Sequence, residues 1–274
     1  MTVHRLTARS VSKPWGITDV PSAFPSLSGD RVGEVWFTDA PMNASTLLVK
    51  YLFTSEKLSV QVHPNDADAQ AVGLPLGKSE CWYVVEAEAD ARLGIGLLAS
   101  MDAAAVRSAA LDGSLQDLLD WKPVSAGSFF YIPAGTIHAI GAGLQIVEIQ
   151  QSADVTYRLY DYGRPRELHL ERGLAVAQLG PYCMPERTVS ANEHECLVEP
   201  GNAPFSVDSI VEADGDTFTL ADDVSWFVPI KGHGLIDGHR WTAGECWVSE
   251  GHCDIAAEGP MHALVARVSP PGRD

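Results

Sequence analysis

Gly127-Ser128-Phe129-Phe130-Tyr131-Ile132-Pro133-Ala134-Gly135-Thr136-Ile137-His138 is the stretch on which the reading of the fold turns. Its first half is an aromatic and β-branched run, the composition of a half-buried strand. Pro133 and Gly135 then impose a turn, and His138 follows it. Two other segments share this character. Gln61-Val62-His63 lies in an extended stretch, and Glu80 opens the apolar run Cys81-Trp82-Tyr83-Val84-Val85. Side chains on a strand repeat every two residues, so Gln61 and His63 share one face. Two imidazoles, a carboxylate and an amide oxygen converging inside a small β-barrel form a mixed N/O set, which suits Zn²⁺ or another divalent first-row metal. A single strand histidine is more often a hydrogen-bonded polar residue. The set Gln61, His63, Glu80 and His138 carries the metal reading because the ligand types agree and the spacing fits neighbouring hairpins.

The Gly-x5-Pro-x-Gly-x2-His spacing is a cupin-type signature and fixes no chemistry by itself. Longer segments are more specific. Ser59-Val60-Gln61-Val62-His63-Pro64-Asn65-Asp66, Gly77-Lys78-Ser79-Glu80-Cys81-Trp82-Tyr83, Pro133-Ala134-Gly135-Thr136-Ile137-His138-Ala139-Ile140 and Thr156-Tyr157-Arg158-Leu159-Tyr160-Asp161-Tyr162-Gly163-Arg164 follow one another in this order. Together they resemble type I mannose-6-phosphate isomerase, in the short bacterial form without the large helical insertion. The likeness covers about residues 10 to 180. It implies an all-β bicupin, two jelly-roll barrels with a few decorating helices, carrying one Zn²⁺ per chain. It implies interconversion of mannose 6-phosphate and fructose 6-phosphate. By resemblance Gln61, His63, Glu80 and His138 fall on the metal ligands, Arg158 on the active-site arginine, and Lys78 on the lysine beside the ligand glutamate. One departure stands out: the family pattern continues Trp-Gly-Gly, whereas here Trp15-Gly16 is followed by Ile17.

The chain has 274 residues, 46% of them hydrophobic, enough for one large all-β domain or two small ones. No run approaches the roughly 18 apolar residues of a membrane span, and the first residues lack a signal-type stretch, so a cytoplasmic protein is expected. Cys81, Cys183, Cys196, Cys246 and Cys253 form no Cys-x-x-Cys pair. Such a scattered set fits a reducing compartment, with Cys81 read as a buried thiol. A net charge of −17 disfavours nucleic acid or an anionic membrane as partner. A phosphosugar substrate is also an anion, so its site needs local positive charge; Lys13, Lys78, Arg158 and Arg164 all lie within the matched segments.

Strands are expected at 33–37, 45–52, 144–149 and 153–160, and two more within 82–95, split by a loop at 87–90. Pro64-Asn65-Asp66 stops a strand and caps a short helix through Val72; Asp102 to Ala110 reads as a capped helix. Ser114 to Trp121, with Leu115, Leu118 and Leu119 on one stripe, reads as a second helix, and 167–179 as a further candidate. From about Cys183 short strands recur at 205–211, 217–220, 225–230, 244–248 and 263–268, which suggests a second barrel. Residues 1–180 are therefore expected to form the catalytic barrel and 181–274 a degenerate one. A weak repeat aligns Ala243–Gly251 with Ala126–Ala134, but Glu250 stands where Pro133 does and no histidine matches His138. The second barrel is thus expected to lack metal, with His233, His239, His252 and His262 mostly on surface or turns.

An aldose–ketose interconversion moves a proton between C1 and C2 through a cis-enediol. A divalent ion polarises the sugar oxygens, and Arg158 supplies a permanent charge that can fork onto two of them. The proton carrier must approach neutrality in pKa. Lys78, depressed by the metal and Arg158, is one candidate. Glu148, whose pKa burial would raise, is another, unless it only orients Arg158 or a ligand histidine. Ser59, on the face of Gln61 and His63, is the better phosphate contact; Lys13 and Arg164 are weaker, and Trp15 either walls the sugar pocket or packs on the barrel. Two other functions fit the pattern less well. A cupin oxygenase would bind Fe²⁺ through His63, Glu80 and His138, but has little need of Lys78 and Arg158. A non-catalytic sugar-binding bicupin would have no need to keep Arg158 and all four ligands.

Overall fold

The computed structural model describes residues 2–26, 30–40, 46–220 and 224–269. The all-β expectation holds, with strands arranged in four antiparallel sheets of five, seven, six and four strands. Alternating burial stacks them in layers. One face of the seven-stranded sheet packs Leu52, Trp82, Val84 and Ile146 against Leu93, Ile95 and Ile140 of the five-stranded sheet. Its other face sets Val35, Tyr51, Tyr83 and Val147 against Phe205, Trp226 and Leu264 of the six-stranded sheet. The six-stranded sheet in turn covers Ile236, Trp241 and Ile255 of the four-stranded one. Helices Ala103–Asp112 and Leu170–Val176 close the outside of the five-stranded sheet. No helix among the described residues is long and apolar enough to cross a membrane.

Most expected elements occur near their expected bounds. The strand read at 45–52 runs Leu47–Thr54, with Ser45 outside the described residues, and Asp102 caps its helix by accepting from Ala105 N at 2.7 Å. The helix read at 114–121 does not form. Gly113, at φ +89°, ends the preceding helix; a 3-10 turn covers Ser114–Asp117 and a strand covers Leu119–Pro123. Leu119 and Trp121 are instead paired to Leu97 and Gly94, a long-range ladder that a three-leucine stripe could not outweigh. The strand read at 244–248 lies at Trp247–Glu250, and the 167–179 helix shrinks to Leu170–Val176.

Among the described residues two strand pairings, and the isolated bridge between Gly96 and Pro181, join the chain across the boundary expected at 180/181. Thr2–Arg5 forms the edge of the six-stranded sheet beside Trp247–Glu250, and Arg187 and Thr188 pair with Phe129 and Ser128. Of the four C-terminal histidines, His233, His239 and His252 are exposed, as expected of most of them, and His262 is not. It is buried between the sheets, with Nε2 2.9 Å from Ser209 Oγ and Nδ1 3.4 Å from Tyr83 Oη.

Candidate metal and substrate site

The five-stranded sheet brings three residues to one level. Gln61 pairs with His138 on one side and with Arg158 on the other. Directly opposed residues in a ladder face the same way, so these side chains form one row. The seven-stranded sheet faces them with a second row: Trp36 pairs with Lys50, Lys50 with Glu148, and Glu148 with Trp82. Glu80, two residues before Trp82, shares that face.

Local turns fix the register. Asn65 caps the helix Asp66–Ala71, accepting from Asp68 N at 2.9 Å, and so ends the extended chain just after His63. Gly77 N donates to Asp66 Oδ1 at 2.7 Å and Lys78 N to Pro64 O at 2.9 Å, which lays the Lys78 loop against the His63 turn. A Cβ at Gly77 would stand 2.4 Å from the Asn65 carbonyl carbon, so only glycine fits. Gly135, at φ +87°, donates to His63 O at 2.8 Å and ties the Pro/Gly turn to the same place.

His63 Nδ1 lies 2.8 Å from Val155 O and His138 Nδ1 2.9 Å from Thr136 O. Carbonyls only accept, so Nδ1 carries the proton in each ring and Nε2 keeps a lone pair. Both Nε2 atoms face Glu80, at 3.6 Å from Oε2 and 3.4 Å from Oε1. The three donor atoms lie within 4.8 Å of one another, and all three residues are buried. Both Glu80 oxygens are buried without a well-formed hydrogen bond, although Lys78 Nζ stands 3.0 Å from Oε2. A buried carboxylate left in that state between two oriented imidazoles fits a cation. Gln61 reaches the same centre with its amide nitrogen, 3.2 Å from His138 Nε2, while its oxygen accepts from Ser59 Oγ at 3.2 Å. A half-turn of the amide presents the oxygen instead.

The electrostatics correct one expectation, the direction of the Glu148 shift. Burial, reinforced by Lys78, holds His63 well below the usual imidazole range, and burial takes His138 down to about 4. Burial pushes Glu80 up to about 7 despite Lys78. Lys78 is raised by its carboxylate neighbours: burial lowers it, but Glu80 and Glu148 outweigh that. Glu148 is lowered to about 2 rather than raised, because Lys50 and Lys78 overcome the burial that lifts it. Lys50, which the sequence reading missed, makes a 3.1 Å ion pair with Glu148 and lies 4.7 Å from the centre of the Trp36 ring. Trp82 Nε1 donates to the other Glu148 oxygen at 3.3 Å.

A cleft of about 170 Å³ opens over this centre. Gln61, Lys78, Glu148 and Arg158 line it, as do Ser59, Lys13 and Trp15. Ser59 and Trp15 are nearly buried, and Trp15 belongs both to the wall and to the core beside Leu52 and Leu58. Lys13 Nζ is 3.3 Å from Glu34 Oε1, and Trp36 Nε1 donates to Glu34 Oε2 at 2.6 Å. Arg164 does not line the cleft; it binds Asp161 at 3.2 Å, Glu56 at 3.4 Å and Lys57 O at 2.6 Å. Arg166, absent from the sequence reading, takes a place in the wall. A larger cavity of about 620 Å³ lies around Lys57, Arg92 and Trp121 and holds none of these groups. The described cysteines are all unpaired, and burial raises Cys81, in keeping with an inert core thiol.

No family model matches the chain. It is 42% identical over 241 residues to the mannose-6-phosphate isomerase ManA of Bacillus subtilis, a match spanning 72% of this chain and 75% of ManA. It is 43% identical over 150 residues to a mannose-6-phosphate isomerase of Streptococcus mutans, covering 53% of this chain and 47% of that one, under half its length. The fold is that of a crystal structure of the B. subtilis mannose 6-phosphate isomerase, with a TM-score of 0.80 at 23% identity over 98% of this chain and all of that one. A putative mannosephosphate isomerase from Archaeoglobus fulgidus shares the fold at a TM-score of 0.73 and 15% identity, over 98% of each chain. With more than two thirds of ManA matched at this identity, the chain belongs to the mannose-6-phosphate isomerase family.

Proposed function

We propose that this protein is a metal-dependent aldose–ketose isomerase that interconverts mannose 6-phosphate and fructose 6-phosphate through a cis-enediol. The observation that carries the reading is the buried Glu80 carboxylate, without a well-formed hydrogen bond between two oriented histidines, at the base of a cleft lined by cations. Zn²⁺ suits the donor set of His63, Glu80, His138 and a turned Gln61, one ion per chain. Bound there, the ion supplies polarisation of the sugar oxygens and charge that disfavours a second cation at Lys78.

The chain's own residues then divide the work. Lys78, 3.2 Å from His63 Nε2 and 3.0 Å from Glu80, stands at the centre and is the candidate to carry the proton between C1 and C2. Glu148 is committed to Lys50 and Trp82, which supports the orienting role over the base. Arg158 holds the developing enediolate charge, and Trp15, Ser59 and Lys13 contact the substrate. The layers built from residues 181–274 act as a structural, metal-free unit, in line with the lost histidine of the repeat. Unpaired cysteines support a reducing, cytoplasmic setting. A coupled assay for fructose 6-phosphate formed from mannose 6-phosphate tests the reading: turnover that a chelator removes is expected, and absence of turnover in metal-replete protein overturns it.

A further inference from the structure

The isomerase reading, on which this inference rests, requires a seat for a phosphate dianion. The reacting carbons and the phosphate-bearing carbon are at opposite ends of the sugar, so the seat lies away from Glu80. In the five-stranded sheet Gln61 separates His138 from Arg158. With strands roughly 4.8 Å apart, the Arg158 strand runs about 10 Å from the His138 strand. Past Arg158 the chain turns through Asp161, and Arg166 comes back to line the cleft.

Arg166 is held there by a fork. Its Nε donates to Asp161 Oδ2 at 2.6 Å and its Nη2 to Oδ1 at 2.7 Å. Asp161 is 2% exposed and also accepts from Arg164 at 3.2 Å; Arg164 and Arg31 share Glu56 in turn, so two carboxylates face three guanidinium groups and a positive charge is left over. Arg158 is anchored alongside by donating from Nη1 to Glu167 O at 2.8 Å, while its buried Nε makes no hydrogen bond. Arg166 also acts on Arg158, adding to burial in lowering its proton affinity, as expected of two cations sharing one wall. The lysines of the wall each have a carboxylate of their own, Lys13 with Glu34, Lys50 with Glu148 and Lys78 with Glu80, and Arg164 lies outside the lining. Asp154 lines the same cleft, but it does not approach the Arg166 fork in any ion pair among the described residues.

We infer that Arg166 is the phosphate-binding residue of the cleft, that Asp161 is the positioning residue presenting it, and that Arg158 serves the reacting end. A guanidinium pre-set by one carboxylate still has donors for a phosphate oxygen and loses little freedom on binding. The test compares wild type with Arg166→Gln, Arg166→Lys and Asp161→Asn in steady-state kinetics, alongside calorimetric titration with inorganic phosphate. Arg166→Gln should raise KM about 10- to 100-fold with kcat nearly unchanged and weaken phosphate binding by a similar factor. Arg166→Lys, which keeps an ion pair with Asp161 and so keeps the fold, should recover part of the affinity. Asp161→Asn should raise KM less than Arg166→Gln, again with kcat retained. Unchanged KM and phosphate affinity in Arg166→Gln overturns the inference, as does a fall in kcat at constant KM. If wild type lacks isomerase activity, the proposed function fails separately and the phosphate titration alone decides: binding lost in Arg166→Gln supports the seat, whereas equal binding or none in wild type overturns it.

Discussion

Glu80 concentrates the chemistry of this molecule at one residue, because both of its oxygens are buried and face histidine lone pairs. Removing one of those lone pairs in His138→Ala should abolish metal content and activity together, checked by elemental analysis and assay of one sample. Arg158 should behave differently. Arg158→Ala should lower kcat about 10²–10³-fold, with metal content unchanged, and Arg158→Lys should restore only part because an ammonium cannot fork. Acid stability follows from His138. Its folded pKa of about 4 lies below its ordinary 6.5, so its contribution is complete above pH 6.5 and lost as pH falls toward 4. That contribution is on the order of 3 kcal/mol. Glu80, pushed up to about 7, works in the opposite sense over part of this range. The readout is therefore the difference: urea unfolding of metal-free His138→Gln should lose less stability between pH 7 and 4.5 than metal-free wild type. The candidate ligands were legible in the sequence because they stand in contiguous motifs. Lys50 was not, since it sits in an apolar run and its partner Glu148 lies 98 positions away. Missing it reversed the expected direction of the Glu148 shift.

Elements place these residues through register. Pairing of Gln61 with both His138 and Arg158 puts the histidine and the arginine on one sheet face, and a one-residue slip would turn them to the other side. The turn at Gly77 secures the Lys78 loop. Gly77→Ala forces a Cβ to 2.4 Å from Asn65, so it should destabilise by about 1–3 kcal/mol and lower kcat by displacing Lys78. Thermal unfolding and kinetics on the variant check both effects. Strands with aromatic and β-branched runs were readable from composition, as at Phe129–Ile132. Leu119–Pro123 was not, because its alternation is short and its place is decided by the Leu97 and Gly94 backbone.

At the scale of the whole molecule, the layered sheets bury the centre and close over distant parts of the chain. The sequence indicated strand-rich halves but not that Thr2–Arg5 completes a sheet built from residues beyond 195, since edge pairing leaves no local mark in a short polar strand. Deleting residues 1–5 removes that edge and the Arg5–Glu245 ion pair at 2.9 Å, so Tm should fall on the order of 5 °C while turnover at 25 °C is retained. On the proposed reading, one ion held by His63, Glu80, His138 and Gln61 makes this cleft an isomerase. Titrating Zn²⁺ into chelator-stripped protein while following fructose 6-phosphate formation from mannose 6-phosphate tests it most directly. Activity should rise from near zero and break at one ion per chain; full activity in the stripped protein, or none at saturation, would contradict it.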